Sequence, residues 1–215
     1  MAKKKKVSKV EAEKSERTIQ YVAIGVILIV IGVIVWNSIP KSSGGGAKQY
    51  DAAPPMTIDL NKTYTAAVKM EKGAEFMIEL YADKAPITVN SFVFLAREGF
   101  YDGVTFHRVL DGFMAQTGDP QGTGLGGPGY QFVNEDSDLT FDKAGVVAMA
   151  NSGRDTNGSQ FFITFAPSDS LNGGYTIFGQ VAEGMDVVNA ITRRDPDQNP
   201  VFVGDVIATI TITEE

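Results

Sequence analysis

Residues 106–119 read FHRVLDGFMAQTGD and set one cation, Arg108, within eight positions of two bulky apolar side chains, Phe113 and Met114, and a neutral amide, Gln116. Residues 149–165 (MANSGRDTNGSQFFITF) and 170–179 (SLNGGYTIFG) add a second set: Ala150, Asn151, Gln160, Phe162 and Leu171. No activated nucleophile is visible. The chain has no cysteine, and its one histidine, His107, directly precedes Arg108. No elbow sequence surrounds any serine. Alternation along a strand would put His107 and Arg108 on opposite faces, so a groove-facing Arg108 makes His107 a satisfied interior histidine. A hydrolase is the weaker enzyme reading.

A reaction that makes and breaks no covalent bond fits this inventory better. Rotation about an X-Pro amide faces a resonance barrier of about 18–20 kcal/mol and takes tens of seconds or more unaided. Twisting the bond localises the lone pair on the prolyl nitrogen. A fixed cation with a donor aimed there would stabilise the twisted form above either planar one. Phe113, Met114, Phe162 and Leu171 could wall an apolar pocket for the ring. Gln116, Gln160 and the backbone at Ala150 and Asn151 could hold the substrate main chain. Singly, each apolar residue reads as core and Arg108 as a surface charge; only their joint order carries the catalytic reading.

That order closely resembles the signature of cyclophilin-type peptidyl-prolyl cis-trans isomerases, from about residue 62 to the end of the chain. FHRV is similar to the family segment carrying the catalytic cation, which makes Arg108 that residue. GFMAQTGD matches the run supplying Phe113, Met114 and Gln116. MANSGRDTNGSQFFI matches the run supplying Ala150, Asn151, Gln160 and Phe162. SLNGGYTIFG matches the segment carrying Leu171 and one further wall, here Tyr175. The last segment departs from the family pattern twice: Ser170 stands where Trp is common and Tyr175 where His is common. The lost indole implies weak binding of cyclosporin-like cyclic peptides, with turnover affected less. The resemblance implies a monomeric catalytic domain and proline-containing polypeptides as substrates; the inventory needs no cofactor and no metal, and with the apolar run described below the chain reads as a membrane-anchored, bacterial-like member. The rival readings are a non-catalytic proline-peptide-binding module and a general chaperone.

Composition narrows the rest. Without cysteine there are no disulfides, thiolate metal sites or thiol nucleophile, and one histidine disfavours a His-rich metal site. The net charge of −7 is uneven: residues 1–17 carry seven Lys and Arg against three Glu, leaving twelve basic and twenty-three acidic residues beyond. An acidic main domain argues against nucleic acid as a partner.

Four segments follow. Residues 1–18 form a basic tail. Residues 19–37 hold an apolar run flanked by Tyr21 and Trp36, whose eighteen residues from Ile19 to Trp36 would make about 27 Å of helix, enough to span a bilayer core of about 30 Å. The Lys-rich end should stay in the cytoplasm, which predicts a single-pass cell-membrane anchor with the catalytic domain on the outer side. Secretion after signal cleavage is the alternative, although no A-x-A-like site follows the run. Gly25 and Gly32 share a helix face there, by chance rather than for packing. Residues 38–55 read as a Gly/Ser/Pro-rich flexible tether of about 20 Å reach. Residues 56–215 form the domain.

Within the domain, residues 64–81 predict a hairpin turning at Glu71, Lys72 and Gly73. Pro86 opens a helix over residues 87–97 with Val89, Phe92, Val93, Leu95 and Ala96 on its apolar face. Further strands are read at 105–109, 146–150, 161–165, 177–181 and 206–213, and a second helix at 183–194. Many short strands without βαβ alternation predict a mainly-β antiparallel barrel or sandwich. The resemblance selects a closed eight-stranded antiparallel barrel capped by two helices.

Three literal motif matches are discounted. Residues 122–127 (GTGLGG) satisfy G-x-G-x-x-G but open no helix, so a surface loop is expected. Asp136, Asp138 and Asp142 lack the calcium-loop Gly and Glu. Of the glycosylation sequons at Asn61 and Asn157, the second falls inside the groove motif.

Overall fold

The computed structural model describes residues 48–215. The basic tail, the apolar span and the first part of the tether lie outside the described residues. Among the described residues no helix is long and apolar enough to cross a membrane.

The domain contains β1 (Tyr64–Met70), β2 (Glu75–Leu80), α1 (Pro86–Arg97), β3 (Arg108–Leu110), β4 (Met114–Thr117), β5 (Val146–Met149), β6 (Phe161–Thr164), β7 (Ile177–Glu183), α2 (Met185–Asn189) and β8 (Ile207–Glu214). The β1–β2 hairpin turns where the sequence predicts it. The eight strands make one sheet in the order β3-β4-β6-β5-β7-β2-β1-β8, and every pair in it is antiparallel.

The expected full closure is replaced by a half-barrel whose end strands β3 and β8 share no ladder. The contact lies ahead of β3 and at the start of β8: Phe106 N–H donates to Asp205 (2.8 Å) and Ile207 N–H to Val104 (2.9 Å), around a Thr105–Val206 bridge. Three-residue β3 is too short for more. Part of its backbone is taken by Arg194, which exchanges main-chain bonds with Val109 at 2.7 and 2.9 Å. The second helix ends at Asn189 rather than 194, and Arg194 spends its backbone N–H and C=O on Val109 instead of on a helical turn. Strand β4 is absent from the sequence reading because its four residues, MAQT, give too short an alternation.

Period-2 alternation sorts the residues of β3 to β7 between two apolar clusters. Val109, Ala115, Ile163, Val147 and Phe161 face the main core, where Phe92 packs edge-on to Phe161 with centroids 5.4 Å apart. Met114, Phe162, Ala148 and Val146 face the other way, into a smaller cluster with Phe141 and Ile177. Helix α1 buries Val89, Phe92, Val93, Leu95 and Ala96, the face its spacing predicts. Ala85 at its N-cap offers no side-chain acceptor. Glu135 serves instead, accepting from Ile87 N–H and Thr88 N–H at 2.8 Å each, which satisfies orphan donors at the positive end of the helix.

The tether expectation changes at Gln49. Tyr50 packs its ring edge-on against Phe94, 5.0 Å between centroids, and its N–H donates to Pro128 at 2.8 Å. Asn90, on α1, receives Thr57 N–H at 2.8 Å and donates to the Pro55 carbonyl at 3.0 Å. One aromatic in a stretch of small residues is enough to seat it, because a ring of this size buries far more surface than its neighbours.

Candidate active site

The register of three short strands assembles the site. Arg108 on β3 pairs directly with Gln116 on β4, Gln116 with Phe162 on β6, and Phe162 with Ala148 on β5. These residues form one row across the outer face, and Leu110, Met114 and Thr164 form the next. A cleft of about 180 Å³ opens on these rows, lined by Arg108, Phe113, Met114, Gln116, Ala150, Asn151, Phe162, Leu171 and Tyr175. Nine of the ten residues singled out in the sequence therefore share one cavity.

Arg108 is half-buried and, among the described residues, has no carboxylate within ion-pair distance. Its one side-chain contact of hydrogen-bond type is Nη1 to Met114 Sδ at 3.9 Å, a weak acceptor. The guanidinium thus keeps its donors for a ligand. The apolar wall is packed ring on ring. Phe162 stacks on Phe141 (5.8 Å, 14°) and meets Tyr175 edge-on (5.4 Å, 87°). Leu171 is carried by a single 3₁₀ turn, Asp169–Leu171, and Asn172 behind it accepts Phe141 N–H at 2.9 Å. Phe141 escaped the sequence reading, having no periodic signal around it.

The amides divide their work. Gln160, the tenth residue, turns away from the cleft: its Nε2 donates to Gly124 and Gly126 at 3.0 and 2.8 Å, and its Oε1 accepts from Gln116 Nε2 at 2.9 Å. It holds Gln116 and the glycine-rich loop in place, which leaves Gln116 Oε1 free to accept. The Asn151 side chain is likewise engaged, donating to Gly174 at 3.1 Å and accepting Gly153 N–H at 3.2 Å. Its main-chain N–H and C=O make no internal bond among the described residues, and Asn151 lines the cleft.

The GTGLGG stretch is a loop, as expected, and Asp119 gathers it. Its carboxylate accepts Gln121 N–H (2.7 Å), Thr123 N–H (2.8 Å) and Gly124 N–H (2.6 Å). Burial pushes the Asp119 carboxyl up, but these backbone donors outweigh it and hold its pKa below the ordinary carboxylate value. An Asp ahead of a glycine-rich run is the sequence signal that could have revealed this. Because the folded pKa lies below the unfolded value of about 3.9, the stabilisation is complete above that pH and is lost as pH falls through the folded value. Amide-exchange protection of Thr123 and Gly124 is therefore expected to hold at neutral pH and fall away below about pH 4, a loss absent from Asp119→Asn.

His107 is buried as the alternation predicts; among the described residues neither ring nitrogen meets full hydrogen-bond geometry, the Thr105 backbone being the partner within reach. Burial lowers its pKa against the opposing pull of Asp119, so the neutral ring is favoured. The acidic patch resolves in part into ion pairs, Asp138 with Lys84 at 2.7 Å and Asp136 with Arg154. Asn157 is fully buried and donates to Val133 and Asn134 at 3.0 Å, which leaves no room for a glycan on the folded chain.

Comparison with known proteins gives the family and the fold. Residues 65–213 match the family model described as cyclophilin type peptidyl-prolyl cis-trans isomerase/CLD. The chain is 48 % identical over 134 residues to human peptidyl-prolyl cis-trans isomerase-like 1, covering 60 % of this chain and 81 % of the relative. It is 47 % identical over 127 residues to peptidyl-prolyl cis-trans isomerase B of Bacillus subtilis, covering 59 % and 89 %. Among solved structures, a Cryptosporidium parvum cyclophilin type peptidyl-prolyl cis-trans isomerase superposes with a TM-score of 0.64 at 32 % identity, covering 70 % of this chain and 98 % of that one. The same protein crystallised in the presence of the dipeptide Ala-Pro gives 0.63 at 32 % identity, covering 69 % and 98 %.

Proposed function

Since the chain belongs to the cyclophilin-type peptidyl-prolyl cis-trans isomerase family and is an enzyme of that class, we propose that its catalytic centre is the outer-face cleft and that Arg108 lowers the rotational barrier. The observation that carries this reading is an unpaired guanidinium at the edge of an apolar cavity, set by register beside Gln116 and Phe162. The prolyl ring enters against Phe113, Met114, Phe162 and Leu171, and the free main chain of Asn151 holds the peptide beside it. As the X-Pro bond twists, its nitrogen becomes pyramidal and basic. An N–H of Arg108 donates to that lone pair, which is not available while the amide is planar, so the interaction strengthens only in the transition state. No bond to carbon is made or broken.

The test is relaxation of an Ala-Pro peptide from a cis-enriched state in the presence of the chain. A rate no faster than the uncatalysed one, with the peptide still bound, would assign the cleft to binding without catalysis.

Three further parts of the reading concern the whole chain. Its substrates are proline-containing segments of folding polypeptides, in keeping with the Ala-Pro used with the Cryptosporidium parvum relative. Binding of cyclosporin-like peptides is weak, because Ser170 stands exposed on the turn that carries Leu171 and offers no indole; a tight complex in a titration would refute this. Residues 19–37 hold the chain in the cell membrane with the domain outside. Release of the intact chain by alkaline wash, or protection of the domain from added protease in whole cells, would refute that arrangement.

A further inference from the structure

A second basin of about 560 Å³ adjoins the cleft, and Gln116, Ala150 and Asn151 line both. One of its walls comes from outside the family-matched residues. Gln49 lines it together with Gln131, Thr156 and Gln160, and not one of the lining residues is charged.

The wall is built into place. Gln49 Nε2 donates to Gly127 at 2.8 Å and Tyr50 N–H to Pro128 at 2.8 Å. Gly129 has φ +97, and a Cβ there would stand 2.6 Å from the Tyr50 carbonyl oxygen and 3.0 Å from its nitrogen, so this approach needs glycine. The Tyr50 ring sits among Phe94, Phe100 and Tyr130 at 5.0, 6.5 and 6.5 Å. Gln49 Oε1 accepts no internal hydrogen bond among the described residues.

We propose that residues 49–50 belong to the substrate site: Gln49 closes the outer side of the second basin, which takes an uncharged polar residue flanking the proline, and Tyr50 is the positioning residue that holds it there. Amides and hydroxyls offer donors and acceptors to Asn, Gln, Ser or Thr side chains and to peptide groups. A charged side chain would lose water there without meeting a counter-ion. The chain consequently prefers substrates that extend past the X-Pro pair. This inference rests on the cleft being the isomerase site.

The test uses the full chain and two peptides, a short Ala-Pro peptide and a longer one with flanking Asn or Ser. In Gln49→Ala the ratio of kcat/KM for the long peptide to that for the short one should fall about 3–10-fold, the size of one lost neutral hydrogen bond. Tyr50→Ala, which keeps the amide but frees its anchor, should lower the ratio as far. Adding the long peptide to the wild-type chain should shift the NMR resonances of the Gln49 side-chain amide, and the short one should not. A ratio unchanged in both variants, or an unshifted amide at saturating long peptide, overturns the proposal. Failure of the wild-type chain to isomerise the short peptide would instead reject the catalytic reading, and the amide titration would still decide whether Gln49 touches bound peptide.

Discussion

Replacing Arg108 by alanine is expected to lower kcat/KM for X-Pro isomerisation about 10²–10³-fold, or about 3 kcal/mol of transition-state stabilisation. The melting temperature should move by no more than a few degrees. The two outcomes separate because the guanidinium does little structural work. Among the described residues it has no ion pair, and its only polar side-chain contact is the 3.9 Å approach to Met114 Sδ. The main-chain pairing of Arg108 with Gln116 survives truncation of the side chain. Arg108→Lys keeps the charge but replaces the planar fork with a point donor, and most of the loss should remain. Relaxation kinetics on an Ala-Pro peptide, with circular dichroism melts alongside, decide the matter. Activity within a few-fold of wild type in Arg108→Ala would remove this residue from the catalytic role.

Gly118→Ala is expected to show the opposite pattern, a loss of stability from which the loss of activity follows. Gly118 closes β4 with φ +86, and a Cβ there would lie 2.8 Å from Gln160 Cα and closer still to the Ser159 carbonyl oxygen. Both obstacles are backbone and cannot swing aside. The left-handed conformation costs an alanine about 1–2 kcal/mol, and overpacking adds about 1–3 kcal/mol. The sum, about 3 kcal/mol, would lower the melting temperature by about 6–12 °C. The strain falls between β4 and the lead into β6, the two strands that hold Gln116 and Phe162 in register. A thermal melt within about 2 °C of wild type would show that the two backbones can part at little cost.

The residues that line the cleft were legible in the sequence because their types occur in long fixed order; that Arg108, Gln116 and Phe162 share one face is set by the strand registers. The helix over 86–97 was legible from its apolar spacing and from Pro86. What the sequence hid depends on contacts between distant residues. Nothing near Gln160 says that its amide will be spent on the carbonyls of Gly124 and Gly126 rather than on substrate. Nothing near Ala85 says that Glu135 will cap the helix. The second helix was overread because its apolar period continues to Ile191, while the backbone at Arg194 is taken by Val109. The seating of Tyr50 was missed because a small polar stretch looks the same whether its one aromatic finds a socket or stays in water.

That socket bears on where the chain can be cut. Composition invites a soluble fragment beginning at residue 56, just past the prolines. Such a fragment would uncover Phe94, Phe100 and Tyr130 where the ring of Tyr50 now covers them, leaving a sticky patch that favours self-association at high concentration. Starting at residue 48 keeps the lid on the hydrophobic hollow, and light scattering of the two fragments side by side would reveal the difference.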